Sequence, residues 1–222
     1  MPKDDKYDDE GTWIWMSMAA ETRLVLSHVV GERSQKSADR LVKKTAQCLK
    51  ALPLFVTDGL KFYKIALLKQ YGKLQSFIQT GKRGRPRLPR LIPDELLKYA
   101  QIIKQRTGRV LTGVEKRAIF GEDIDPKMIS TSYIERQNLT CRQDNNRISR
   151  KTIGLSKKEE ALDCQMTLYF PNFNFCRKHR SLSCKDENRI TKYNSPARQA
   201  GFDHVWSLKE LLTFQYDRIQ TY

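Results

Sequence analysis

Ser132-Tyr133-Ile134-Glu135-Arg136-Gln137-Asn138-Leu139-Thr140-Cys141-Arg142 sets one acid among bases in a stretch without proline or glycine. The run predicts a helix with Ser130 or Ser132 as its N-cap. On a helix, Glu135, Asn138, Leu139 and Arg142 share a face, because offsets of three, four and seven return near the starting angle. A carboxylate with an amide one turn on and a guanidinium two turns on suits a metal held against a phosphate. The same spacing also describes a solvated helix with alternating charges. The choice between the two rests on the remainder of the chain.

That remainder is strongly basic. Lys and Arg total 41 against 25 Asp and Glu, a formal net charge of +16 over 222 residues. A charge of this size points to a polyanionic partner, most simply nucleic acid. The first ten residues run the other way, with Asp4, Asp5, Asp8, Asp9 and Glu10 against Lys3 and Lys6. No apolar run reaches the roughly 18 residues of a membrane span, and no signal-peptide pattern opens the chain. The reading is therefore a cytoplasmic, nucleoid-associated protein with no membrane contact. Five cysteines, an odd number, fit free thiols in a reducing compartment. Cys164, Cys176, His179 and Cys184 lack a Cys-x-x-Cys pair, and two of them fall on a helical pattern, so zinc is the weaker reading.

Outward from the Glu135 helix, the chain divides into recognisable pieces. Residues 1–11 form an acidic tail. Two strand-like runs, Trp13 to Met18 and Arg23 to Val30, read as a hairpin ended by Gly31. Ser34 caps a predicted helix carrying Leu41, Val42, Cys48, Leu49 and Leu52 at helical spacing. Leu54-Phe55-Val56-Thr57-Asp58-Gly59 follows, a short apolar run of the kind that makes a buried parallel strand, with Asp58 at its carboxyl end. Ligands of open α/β sheets bind at such ends, although an aspartate there also serves as a turn residue. Tyr63, Leu67, Leu68 and Tyr71 mark the next helix.

Residues 72–112 read as a basic insertion. Within Gly81 to Arg90, five of ten residues are basic, and Arg83-Gly84-Arg85-Pro86 matches the AT-hook, an extended arm for the minor groove of A·T-rich DNA. Lys82, Arg83, Arg85 and Arg87 are its DNA-contacting candidates. Pro93-Asp94 predicts a helix through Leu96, Leu97, Ala100 and Ile103, and Gly108 to Phe120 reads as extended. Past the Glu135 helix come Arg147, Arg150 and Lys151. A long amphipathic helix is predicted from Ser156 to about Lys178, kinked or broken at Pro171. Residues 183–195 read as a polar loop, followed by two short helices at Ser195-Pro196-Ala197 and Trp206 to Leu212.

Hairpin, helix, strand ending in Asp58, helix, insertion, strand and Glu135 helix follow the order of an RNase H-like α/β fold, a mixed sheet flanked by helices. The core would be 12–71 and 113–182, with the insertion between them and 183–222 as a helical extension. Carboxylates from a strand end and a helix would converge on Mg²⁺ (or Mn²⁺), for which hard oxygen ligands are right.

Thr57-Asp58-Gly59 with Tyr63, Ser132 to Leu139 with Arg142, Arg147 and Arg150, and Asn174-Phe175-Cys176-Arg177-Lys178-His179 resemble the DDE transposases of bacterial and archaeal insertion sequences, nearest the IS-one type. The resemblance runs from about Thr12 to Leu212. It implies cutting and joining of double-stranded DNA at inverted-repeat ends, an Asp-Asp-Glu triad holding Mg²⁺, and a homo-oligomer in the active complex. Asp58 would be the second acid and Glu135 the third, with Arg142 on DNA phosphate; Arg136, Asn138, Arg147, Arg150 and Lys151 are the further DNA-binding candidates. The family's first acid belongs on a strand just before the hairpin, where this chain has only its acidic tail. The expectation is a chain lacking that strand and its aspartate. Two alternatives stay open: a catalytically dead DNA-binding protein competing for transposon ends, and an RNase H-like structure-specific nuclease.

Overall fold

The computed structural model describes residues 11–77, 88–149, 152–185 and 191–215. The AT-hook candidates Lys82, Arg83, Arg85 and Arg87 lie outside the described residues, as do Arg150, Lys151 and the acidic tail up to residue 10.

The hairpin forms as expected. Strands β1 (Trp13–Met18) and β2 (Val25–Gly31) pair antiparallel, with Trp15 opposite Val29 and Ile14 opposite Val30. Helix α1 (Gln35–Gln47) starts at Ser34, whose hydroxyl accepts from the Ser37 N–H. It ends before Leu49 and Leu52, which the helical spacing had included. β3 (Leu54–Asp58) and α2 (Lys61–Tyr71) follow, and a small ribbon of β4 (Gly72–Gln75) and β5 (Arg90–Pro93) flanks residues 78–87.

The helix expected from Pro93 is instead a strand, β6 (Lys98–Thr107). It lies between β3, parallel to it, and β7 (Val110–Phe120), antiparallel to it. Asp94 makes a turn, its carboxylate accepting from the Leu96 N–H. The physical reason for the difference is burial on both faces. Tyr99 and Ala100 are both fully buried on opposite sides of β6, and a strand buried on both faces shows an apolar run with no period of two. The middle strand of the sheet thus comes from within residues 72–112.

Helix α3 is Ser132–Asp144, and Thr131 precedes it without a side-chain cap bond. Neither serine is the cap: Ser132 is the first helical residue, and Ser130 accepts from the Ser132 N–H one position early. A 3₁₀ turn, Asn146–Ile148, leads away from it. α4 (Glu159–Pro171) gives way at Pro171 to a π-helical turn, Asn172–Cys176, so the expected break falls at the residue without an N–H. The polar loop expected over 183–195 contributes a hairpin, β8 (His179–Lys185) with β9 (Thr191–Asn194). Only Leu182 of β8 is buried, too little apolar patterning to announce a strand. The C-terminal region therefore combines that hairpin with α5 (Pro196–Gln199) and α6 (Leu208–Thr213), the latter opened by a Ser207/Glu210 capping box.

The architecture is mixed α/β. One hydrophobic cluster joins both sheets to α1 and α2: Trp15 and Val29 of the hairpin, Leu41, Val42, Ala66 and Leu67 of the helices, and Tyr99 of β6. On the other side, the hairpin's Met16 and Val30 pack on α3 and α4 through Cys141, Met166 and Phe170. There β3 and β6 have a separate, smaller cluster of Ala100, Ile102 and Ile129. The hairpin and the three-stranded sheet do not pair with each other.

Candidate functional site

Alternation along β3 and β6 decides which groups share a face. Asp58 stands opposite Ile102 in the parallel register, as Val56 stands opposite Ala100. Side chains in register point the same way, so Asp58 and Lys104, two residues beyond Ile102, emerge on the side of Ile129. Neighbouring strands near 4.8 Å apart and a rise of 3.3 Å per residue put their Cα atoms roughly 8 Å apart.

Asp58 is exposed at the strand's end, and its Oδ1 accepts from the Leu60 N–H at 3.2 Å. It turns the chain into α2 and also presents a carboxylate at the carboxyl edge of the sheet. Its charge adds to the burial that raises the phenol of Tyr63 far above its ordinary value.

Glu135, in the first turn of α3, meets the sheet through Lys104. The ammonium lies 2.5 Å from each carboxylate oxygen, and the Thr131 hydroxyl donates to Oε1 at 2.6 Å. Partial burial pushes the Glu135 pKa up, but the hydrogen bonds from Lys104 and Thr131, with the charges of Lys104 and Arg106, outweigh it and hold the group below its ordinary value. Glu135 is thus an ionised carboxylate tied to the sheet face that carries Asp58.

One and two turns further along α3, Asn138 and Arg142 line a cleft of about 400 Å³ together with Arg147, Trp13, Ile14 and Leu155. Arg142 and Arg147 are exposed. The cleft has apolar walls from β1 and two guanidiniums at its rim, a surface suited to a phosphodiester with an attached sugar or base. Arg136 is exposed on the same helix but is not among the residues lining the cleft.

Three residues near this site were not found by reading the sequence. Lys104 and Arg106 are hidden because the Leu96, Leu97, Ala100 and Ile103 spacing of this stretch predicts a helix where the structure has β6. The available signal was Thr107-Gly108-Arg109-Val110, a two-residue turn between strand-like runs. Thr107 pairs with Val110, and Gly108 has φ +63°. Trp13, placed correctly on β1, had no motif to mark it; the Arg33 guanidinium lies 5.2 Å from its ring.

Among the described residues, no three His, Cys, Asp or Glu side chains gather into a metal-binding group. The cysteines are all free thiols. A pair of carboxylates is nevertheless a donor set Mg²⁺ accepts, because that ion keeps several waters and takes one or two carboxylates with substrate phosphates. Lys104 fills Glu135's share of it with a positive charge.

No family model, curated protein or solved structure matches the chain. No helix among the described residues is long and apolar enough to cross a membrane.

Proposed function

We propose that the chain is a DNA transposase of DDE type, with duplex DNA as its partner and Asp58 and Glu135 as two of the three metal-binding acids of that type. The observation that carries this reading is the common face: the Asp58 strand end and Lys104 emerge on one face of the sheet, and Lys104 ties Glu135 of α3 to that face. Asn138, Arg142 and Arg147 continue from there as a phosphate-binding rim. Asp58 and Glu135 are the residues that would hold Mg²⁺ or Mn²⁺. A bound ion supplies charge stabilisation at the phosphoryl oxygens and an activated water or 3′-hydroxyl. The protein's own part is to hold Glu135 ionised, to present Asp58 at the strand end, to fix the strand with Arg142 and Arg147, and to keep Lys104 beside Glu135 until the site is filled.

The test is cleavage and joining of duplexes copied from the DNA on either side of the coding sequence, with Mg²⁺, with Mn²⁺ and with chelator. Metal-dependent nicking should fall at least about 100-fold in Asp58→Asn and in Glu135→Gln, the scale on which one electrostatic group at a reacting centre is felt. Equal cleavage by those variants would sink the assignment.

The Lys104–Glu135 ion pair favours a second reading, DNA binding without catalysis. An ammonium already neutralising the acid makes the pair a structural clamp between α3 and β6. Salt-dependent duplex binding with no nicking under any metal condition separates this reading from the first.

A further inference from the structure

β6 and β7 continue past the body of the protein. Tyr99, Ala100, Gln101 and Ile102 are buried, whereas every residue from Lys104 to Thr112 is exposed. The pairing holds to the tip, with Lys104 opposite Val114, Arg106 opposite Leu111 and Thr107 opposite Val110. From Lys104 to the Gly108-Arg109 turn, this two-stranded arm is roughly 15 Å long.

Its composition is uneven between faces. Residues paired in register share a face, which puts Arg106, Leu111, Val114 and Lys104 together. Lys116, opposite Ile102, joins them at the base. The one acid of the arm, Glu115, is opposite Ile103 on the other face and is held by Arg117 at 2.7 Å. Arg109 caps the tip. Leu111 and Val114 are about half exposed, at 47% and 51%, with arginine and lysine around them.

We infer that this arm is a second DNA-binding element that lays its Arg106–Leu111–Val114 face into the major groove of duplex DNA. The inference rests on the DNA reading above and adds a site to it. A two-stranded ribbon is one of the two shapes that the major groove admits, and roughly 15 Å of arm exceeds a groove depth of about 8.5 Å. Cations at the rim meet phosphates, and the aliphatic pair meets base edges, where thymine methyls offer apolar contact. The same face leads directly to Glu135: Arg106 is one of the charges holding that carboxylate's pKa low. A duplex gripped by the arm would therefore arrive at the α3 edge of the sheet.

The experiment uses the full chain and a mixed-sequence duplex of about 30 base pairs, long enough to span arm and cleft. Affinity is measured against salt, and interference is mapped on duplexes methylated at guanine N7, a major-groove atom. Wild type should bind with a steep salt dependence and show N7 interference at a few guanines. Arg106→Ala with Arg109→Ala should lower the salt slope by about one per arginine and weaken binding roughly 10- to 100-fold. It should also erase the N7 interference, whereas Arg142→Ala should weaken binding and leave that pattern in place. A double variant with unchanged slope and unchanged interference overturns the arm alone. A double variant that alters sedimentation of the DNA-free chain, with DNA affinity intact, also overturns it, in favour of a contact between copies. Absence of any salt-dependent duplex binding by the wild type overturns the DNA reading and the arm with it.

Discussion

The two sides of the sheet layer are built differently. Under α1 and α2, one cluster runs from the hairpin to β6, with Trp15 against Tyr63 edge-on at 5.7 Å and Tyr99 against Phe120 at 5.8 Å. On the opposite side the apolar contacts split. The hairpin packs on α4, β6 packs on Ile124 and Ile129, and Glu135, Asn138 and Arg142 lie along α3 at the division. Continuous packing holds both sheets to one pair of helices. Interrupted packing leaves room for a carboxylate, an ion pair and a cleft. The candidate site occupies the place where the core does not close, as expected where solvated charge must stay within reach of a ligand.

Core truncations test the contrast most strongly. Tyr99→Ala removes a fully buried ring from the continuous cluster and should cost about 3–5 kcal/mol. Its hydroxyl also hydrogen-bonds Thr57 and Gln101, each at 2.8 Å. Tyr99→Phe should therefore cost about 1 kcal/mol. Ile102→Ala, on the thinner side, should cost about 2 kcal/mol, the low end for an aliphatic truncation, because the surroundings there can collapse. Urea midpoints at constant slope give all three values. If Ile102→Ala costs as much as Tyr99→Ala, the two sides are equally packed and the contrast fails.

Acid should act on the split side. His28 lies tilted against Phe170 at 4.9 Å and His179 meets Phe173 edge-on at 4.6 Å, both against the α4 cluster. Burial lowers the His28 pKa with help from Lys44, against the opposing pull of Asp163 at 3.6 Å. Burial also lowers His179, helped by Arg177 and Arg23 and opposed by Asp144. Burial wins over the nearby acids, so both rings are neutral in the fold. The unfolded chain then binds more protons below its ordinary imidazole pKa of 6.5. Stability should be full above that pH and fall as pH drops through 6.5 toward the folded values. Urea midpoints at pH 7.5 and 5.5 measure the loss. His28→Gln with His179→Gln should flatten it, and a flat wild-type profile would mean that the rings are not buried neutral.

Much of the framework was legible because its signals are local. Ser34 announced α1, the two strand-like runs Trp13 to Met18 and Arg23 to Val30 announced the hairpin, and the Asp58-Gly59 turn closed β3. β6 was not legible, because a strand covered on both faces offers the same Leu97, Ala100 and Ile103 spacing as a buried helix. That single substitution of helix for strand concealed the Lys104–Glu135 pair, which joins residues 31 positions apart, and with it the arm beyond. Asp58 and Glu135 were legible as residue types at a strand end and on a helix. Their common face is a property of the β3–β6 register, which no local pattern encodes.

The smallest expected effect is the sharpest test of that common face. Lys104→Met keeps the aliphatic stem and removes the ammonium from a pair that is one-third to one-half exposed, at 33% for Lys104 and 47% for Glu135. An ion pair so exposed contributes at most about 1 kcal/mol, and the Thr131 hydroxyl keeps its bond to Oε1. Stability should change little, while the Glu135 pKa should rise, because burial would then oppose ionisation with only Thr131 and Arg106 against it. Carboxylate titration by NMR, with Glu135→Gln to assign the resonance, reads this directly. A Glu135 titration unchanged by Lys104→Met would mean that the helix and strand do not meet through these two groups, and the edge shared by Asp58 and Glu135 would have to be given up.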